Sequence, residues 1–170
     1  MNTATSAAAR EKTQEGVATA HTVEILVDGA VVFRTNETGQ PYDAGKVVRS
    51  NDDAAPLFSG ISAMKQEVFA VASLTGANVP IKTRWITVGL LDSNQVHPRE
   101  VFADAITDRA ASIIVAHNHP SGTLEPSPED IALTQRLRKA GDLLGIRVLD
   151  HLIMTEKGYI SMKEHGCSIW

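Results

Sequence analysis

The sequence predicts an α/β fold preceded by a β-hairpin. Three observations carry this expectation. From Leu57 onward, short apolar runs rich in β-branched residues alternate with segments of helical period, the pattern of an α/β chain rather than an all-β or all-α one. Between 128 and 144, Leu133, Leu137, Ala140 and Leu144 recur at spacings of four, three and four, which lines one face of a helix. Near the start, HTVEILV (21–27), Asp28-Gly29 and AVVFR (30–34) read as two alternating strands joined by a two-residue turn.

The elements follow in order. Residues 1–20 are rich in Ala, Thr and Glu without an apolar period, and read as a mobile tail or a marginal helix. The hairpin comes next. Residues 35–56 are polar and mixed, with Pro41 and Pro56, and read as a connector holding one short helix that ends near Asp53. Strands are predicted at 67–74, 81–91, 112–116, 146–155 and 159–161. Helices are predicted at 99–110 and 128–144, the second closed by Gly145. Its outer face carries Arg136, Arg138 and Lys139, a solvated basic face rather than a nucleic-acid patch. The chain thus divides into a tail (1–20), a hairpin with connector (21–56) and one α/β domain (57–170).

Composition agrees with one compact domain: 170 residues, 43% of them hydrophobic, suffice for a single core. The net charge of −4 offers no general attraction to nucleic acid. A single cysteine, Cys167, rules out an internal disulfide and suits a reducing compartment. No signal-peptide core and no run of membrane-spanning length is present, so a cytoplasmic protein without membrane contact is expected.

The chemistry concentrates in HNHPSGTLEPSPED (117–130). A strand ending in His-x-His sends His117 and His119 to the same side, because side chains alternate along extended backbone. Ser127, Pro128, Glu129 and Asp130 have the form of a helix start, with Ser127 as N-cap and acids in the first turn. Capping alone accounts for Ser127 and Asp130. A capped first turn is also rigid enough to aim a carboxylate outward, and two imidazoles with a carboxylate suit zinc and leave a fourth position for water. Glu67, in KQEVFAVASL, shares a strand face with Phe69 and Val71. It reads either as a solvated strand-end residue or as a general base whose pKa is raised by partial desolvation.

Other hydrolytic sets are missing. There is no His-Glu-x-x-His, no Pro-Cys-x-x-Cys, no Gly-x-Ser-x-Gly and no phosphate-cradling Gly-rich loop. Asp150-His151 and His97-Pro98-Arg99 stay open. Either member of the first pair could orient a ligand histidine or be a half-buried polar residue satisfied by backbone. Arg99 could anchor a substrate carboxylate or pair with a neighbouring acid. His21 and His165 read as incidental.

The order His-x-His, seven residues, Ser, two residues, Asp resembles the JAMM motif of the JAB/MPN+ metalloproteases. HNHPSG, PSPEDIALTQRL, LLGIRVLDHLI and PREVF (98–102) are similar to the RadC branch of that family, and the likeness covers most of 57–166. The resemblance implies a mixed sheet flanked by helices, with the layering of cytidine deaminases. It also implies Zn2+ held by His117, His119 and Asp130, with Glu67 acting on the zinc water and Ser127 steadying the tetrahedral intermediate. Asn118 stands where eukaryotic JAMM deubiquitinases place Ser or Thr. The stretch SLTGANVPIKTRW (73–85) departs from the branch's usual wording, and a hairpin stands where larger RadC-like proteins carry a helix-hairpin-helix region.

Three functions follow from this reading. The favoured one is a zinc-dependent peptidase or isopeptidase acting on a peptide or an isopeptide-linked protein. The others are a RadC-type DNA-repair or DNA-processing accessory, against which the acidic balance argues, and a non-catalytic MPN-type interaction module, against which the complete motif argues. The oligomeric state is left open.

Overall fold

The computed structural model describes residues 21–27, 30–37, 46–89, 96–167 and 170. The tail expected over 1–20, the Asp28-Gly29 turn and the end of the strand expected to reach 91 lie outside the described residues. Strands β1 (His21–Val27) and β2 (Ala30–Glu37) pair antiparallel as a two-stranded sheet, with one irregularity between Ile25 and Leu26.

Helix α1 (Asn51–Ala54) is the expected short connector helix, and it ends one residue beyond Asp53. It opens on a capping box: the Ser50 hydroxyl accepts from the Asp53 N–H, and the Asp53 carboxylate accepts from the Ser50 N–H, which fixes Asp53 as the third helical residue. The chain continues as a 3-10 helix over Ala55–Ile61, with Pro56 in its first turn. Its buried side chains are Ala55, Phe58 and Ile61.

Among the described residues the expected mixed sheet has five strands: β3 (Val68–Leu74), β4 (Pro80–Val88), β5 (Ser112–Asn118), β6 (Arg147–Thr155) and β7 (Gly158–Ser161). Their order is β4-β3-β5-β6-β7. β5 and β6 run parallel, and every other pair is antiparallel. Helix α2 (Pro98–Thr107) precedes β5, and helix α3 (Pro128–Leu144) makes the β5–β6 crossover.

One sheet face packs Ala70, Ile114, Ala116 and Leu152 against Phe58 and Ile61 of the 3-10 helix. The other packs Phe69, Val71, Ile113 and Val115 against Phe102, Leu133 and Leu137 of α2 and α3. With both faces covered, β3 and β5 are buried at every position, which is why their sequences read as continuous apolar runs.

The buried face of α3 differs from the expected stripe. Leu133 and Leu137 are buried, but Leu144 is 48% exposed, and the inward face is completed by Asp130, Thr134 and Gly141. A Cβ at Gly141 would run into the Ile146 carbonyl oxygen, so the helix end lies close on the loop entering β6. Gly145 closes the helix at φ 70°. Of the basic trio, Arg136 and Lys139 are exposed, whereas the Arg138 guanidinium stacks 5.0 Å from the Trp170 ring centroid.

The β5–β6 pairing carries a bulge. Ile113 pairs with Val148, but Ile114 pairs with Asp150, leaving Leu149 as an extra residue. After it, Val115 faces His151 and His117 faces Ile153. Val148 and His151 therefore lie on the same sheet face although they stand three positions apart. Among the described residues no helix is long and apolar enough to cross a membrane.

Candidate metal centre

The site forms where β5 leaves the sheet and α3 begins. His117 is the next-to-last residue of β5, and the His119 N–H donates to the Met154 carbonyl at 3.0 Å, which carries the extended backbone one residue further. Both imidazoles therefore face the α2/α3 side. Ser127 is the N-cap of α3: its hydroxyl accepts from the Asp130 N–H at 3.1 Å, and the Asp130 carboxylate accepts from the Ser127 N–H at 2.8 Å. This capping box leaves Asp130 little freedom and turns its carboxylate toward the histidines.

The three groups converge. His117 Nε2 lies 2.9 Å from His119 Nε2 and 3.2 Å from Asp130 Oδ1, and His119 Nε2 lies 3.6 Å from Asp130 Oδ2. One donor atom from each residue falls within 4.8 Å of the other two. His119 Nδ1 faces the Thr123 carbonyl at 2.7 Å, and a carbonyl only accepts, so Nδ1 carries the proton and Nε2 of neutral His119 offers its lone pair. Lone pairs and a carboxylate gathered this closely are satisfied only by a cation, a proton or a metal ion. Two imidazole nitrogens and one carboxylate oxygen form a donor set that fits zinc.

The electrostatics agree. The Asp130 hydrogen bond raises the pKa of His119 against its partial burial, with the Thr123 carbonyl and the Glu67 charge acting in the same sense. Burial alone would raise Asp130, but His117, His119 and the Ser127 hydroxyl outweigh it and hold this carboxyl well below the usual range. Burial pushes His151 well down, so it stays neutral. Positive charge is thus favoured at the cavity mouth and disfavoured behind it.

Glu67 directly precedes β3. Phe69 pairs with His117, so two residues back along the antiparallel strand the chain passes beside His119. Glu67 is half-buried and lines, with His117, His119, Ser127, Glu129 and Asp130, a cavity of about 270 Å³ whose apolar wall is Phe69, Val96 and Leu133. All five candidate site residues therefore border one space.

Sequence reasoning missed what holds Glu67 there. Asn118, on the opposite face of β5 from the histidines, is fully buried. Its Oδ1 accepts from the Val68 N–H at 2.7 Å, and its Nδ2 donates to the Met64 and Gln66 carbonyls at 2.9 and 3.1 Å. One side chain clamps the backbone on both sides of Glu67. Asn118→Ala would leave the buried Val68 N–H unpaired, which costs about 1–3 kcal/mol. We expect a loss of stability of at least that size in urea unfolding, and an unchanged midpoint would show that the clamp carries no weight.

The open pairs resolve without reaching the cavity, except one. His97 caps α2 by accepting from the Arg99 N–H at 3.1 Å, and Arg99 pairs with Glu100 at 2.8 Å on the surface. Asp150 is buried and accepts from the Ser161 hydroxyl and from the backbone N–H groups of His151 and Lys163. His151 is the member that reaches the site: its Nε2 lies 2.8 Å from His117 Nδ1. Thr134, four residues beyond Asp130 on α3, touches the far side of that ring. Thr134 did not stand out in the sequence and Glu129 read only as a first-turn acid, since their part depends on contacts between distant segments.

A family model, the RadC-like JAB domain, matches residues 48–167. A UPF0758 protein of Methanospirillum hungatei is 58% identical over 134 residues, covering 77% of this chain and 60% of the relative. One from Clostridium botulinum strain Eklund 17B is 41% identical over 138 residues, covering 81% and 60%. One from Rubrobacter xylanophilus is 50% identical over 121 residues, covering 71% and 53%. The chain thus spans 53–60% of the length of these relatives.

Proposed function

The chain belongs to the RadC-like JAB domain family, and from that membership and the site geometry we propose that it is a zinc-dependent hydrolase of peptide or isopeptide bonds. The observation that carries the reading is the convergence of His117, His119 and Asp130 on a cavity that also takes the Glu67 carboxylate. His117 and His119, through Nε2, and Asp130, through its carboxylate, would hold the metal. Zinc so held supplies Lewis acidity and lowers the pKa of a coordinated water to about 7.

The chain's own residues do the rest. Glu67 accepts a proton from the attacking water and returns it to the departing nitrogen, since a carboxylate beside an apolar wall can serve both steps. The Ser127 hydroxyl borders the cavity and is the neutral donor on hand for the oxyanion. In the present structure that hydroxyl donates to Asp130 Oδ2 at 2.7 Å, so it must rotate to serve. Phe69, Val96 and Leu133 keep one side of the reacting bond dry. The substrate is a peptide or an isopeptide-linked protein.

The test is metal content by mass spectrometry on chelator-free protein, wild type beside His119→Ala, followed by a panel of fluorogenic peptide and isopeptide substrates. About one zinc per chain, lost in the variant, is the expected result for a single three-ligand site. Absence of metal after zinc has been supplied would sink the hydrolase reading, and zinc without cleavage of any amide would reduce the site to a structural one.

A further inference from the structure

The geometry points to His151 and Thr134 as positioning residues for the ligand His117: with the Asp130 main-chain carbonyl they form a hydrogen-bond chain that holds the His117 proton on Nδ1 and leaves Nε2 bare for the metal. The inference rests on the reading of His117 as a ligand, but the chain itself is a property of the metal-free protein.

Three contacts define it. His117 Nδ1 lies 2.8 Å from His151 Nε2, His151 Nδ1 lies 2.6 Å from Thr134 Oγ1, and Thr134 Oγ1 lies 2.6 Å from the Asp130 carbonyl oxygen. Each is a hydrogen-bond distance and needs one proton. The direction of the whole chain follows from its last member. A carbonyl cannot donate, so the Thr134 hydroxyl must donate to it; otherwise two oxygens would face each other at 2.6 Å with nothing between them. With its only proton so used, Thr134 accepts from His151, which places the His151 proton on Nδ1. Neutral His151 then has a lone pair on Nε2 and accepts from His117 Nδ1. Neutral His117 is left with an unprotonated Nε2, the atom 3.2 Å from Asp130 Oδ1 and 2.9 Å from His119 Nε2.

The surroundings fix the chain in place. His117, Thr134 and His151 are 1%, 0% and 0% exposed, so water does not compete for these bonds. Phe69 packs edge-on to the His151 ring at 5.6 Å between centroids and parallel to the His117 ring at 6.5 Å. The Thr134–Asp130 bond also belongs to the same turn of α3 that presents the Asp130 carboxylate. One helical turn therefore supplies a candidate metal ligand and, through two intermediaries, sets the proton on another. Ligand histidines commonly donate their second ring N–H to a carbonyl or carboxylate. Here that acceptor is a neutral imidazole, itself oriented by a carbonyl two bonds further on.

The test reads proton position directly. Long-range 1H–15N correlation spectra of metal-free protein at pH 8.5 should show His117 and His151 both protonated at Nδ1. The Thr134→Val variant keeps the side-chain shape and removes the hydroxyl. It should lose the single tautomer at His151 and weaken zinc binding by about 10–100-fold in chelator competition. Thr134→Ser should restore the wild-type pattern in both measurements. His151 protonated at Nε2 in the wild type, or a Thr134→Val protein that keeps wild-type zinc affinity, would overturn the inference. A protein that binds no zinc yet shows both Nδ1 protons would instead leave the chain standing and refute the metal-site reading.

Discussion

Glu67→Gln is expected to lower turnover of a responsive amide by about 10²–10⁴-fold, the span typical of a lost general base, with zinc content unchanged. The amide keeps the size and hydrogen-bonding reach of the carboxylate but cannot accept and release a proton near neutral pH. The site's donor set does not include Glu67, so the metal should stay. Asn118 still clamps the backbone at Gln66 and Val68, which keeps the substituted side chain at the cavity. Single-turnover rates with zinc quantified on the same samples make the measurement. Loss of zinc along with activity would mean that Glu67 belongs to the ligand set, and unchanged turnover would remove Glu67 from the general-base role.

The second large effect is expected at Asp130. Asp130→Asn should weaken zinc binding by more than about 100-fold, beyond the 10–100-fold usual for an outer partner of a ligand. Folding should suffer far less, by about 1 kcal/mol, the usual size of a capping contribution. The asymmetry follows from the two jobs of one carboxylate. Asparagine still offers an oxygen to the Ser127 N–H, so the cap survives in part. Its amide nitrogen carries no negative charge and no lone pair for a metal. Chelator competition and thermal unfolding of metal-free protein separate the two effects, and parent-like zinc affinity in the variant would remove Asp130 from the ligand set.

Acid unfolding supplies a check of sign. The Asp130 carboxyl is held below its ordinary value in the fold. Its contribution is therefore present above the unfolded pKa of about 4 and lost as pH falls. The metal-free Asn variant should show a flatter acid limb than the wild type.

Much of this architecture was legible because burial leaves a plain trace. β3 and β5 are covered on both faces and so appear as unbroken apolar runs, and the capping residues of α3 and Gly145 mark both of its ends. The His-x-His spacing placed both imidazoles on one side because extended backbone alternates. What stayed hidden depends on distant partners. Asn118 read only as a departure from Ser or Thr, since its clamp reaches back 50 to 54 residues. The helix stripe was extended to Leu144, whereas the inward position near the helix end is Gly141, close on the loop before β6, and Leu144 is about half exposed. His151 was left undecided, because alternation says that it and Asp150 diverge but not which of them meets the site.

The bulge at Leu149 settles that choice by counting. Three steps separate Val148 from His151, an odd number, yet both must face the same layer, and a regular strand permits that only for an even number. The extra residue absorbs the odd step and restores phase. Upstream of it β6 keeps step with Ile113; downstream it keeps step with Val115 and His117. A chain lacking Leu149 would pair the same neighbours in an uninterrupted ladder, with His151 still beside His117. Length can therefore drift by one residue at this point without cost to the site. The same slip two residues later would carry His151 to the far side of the sheet and leave His117 without its partner.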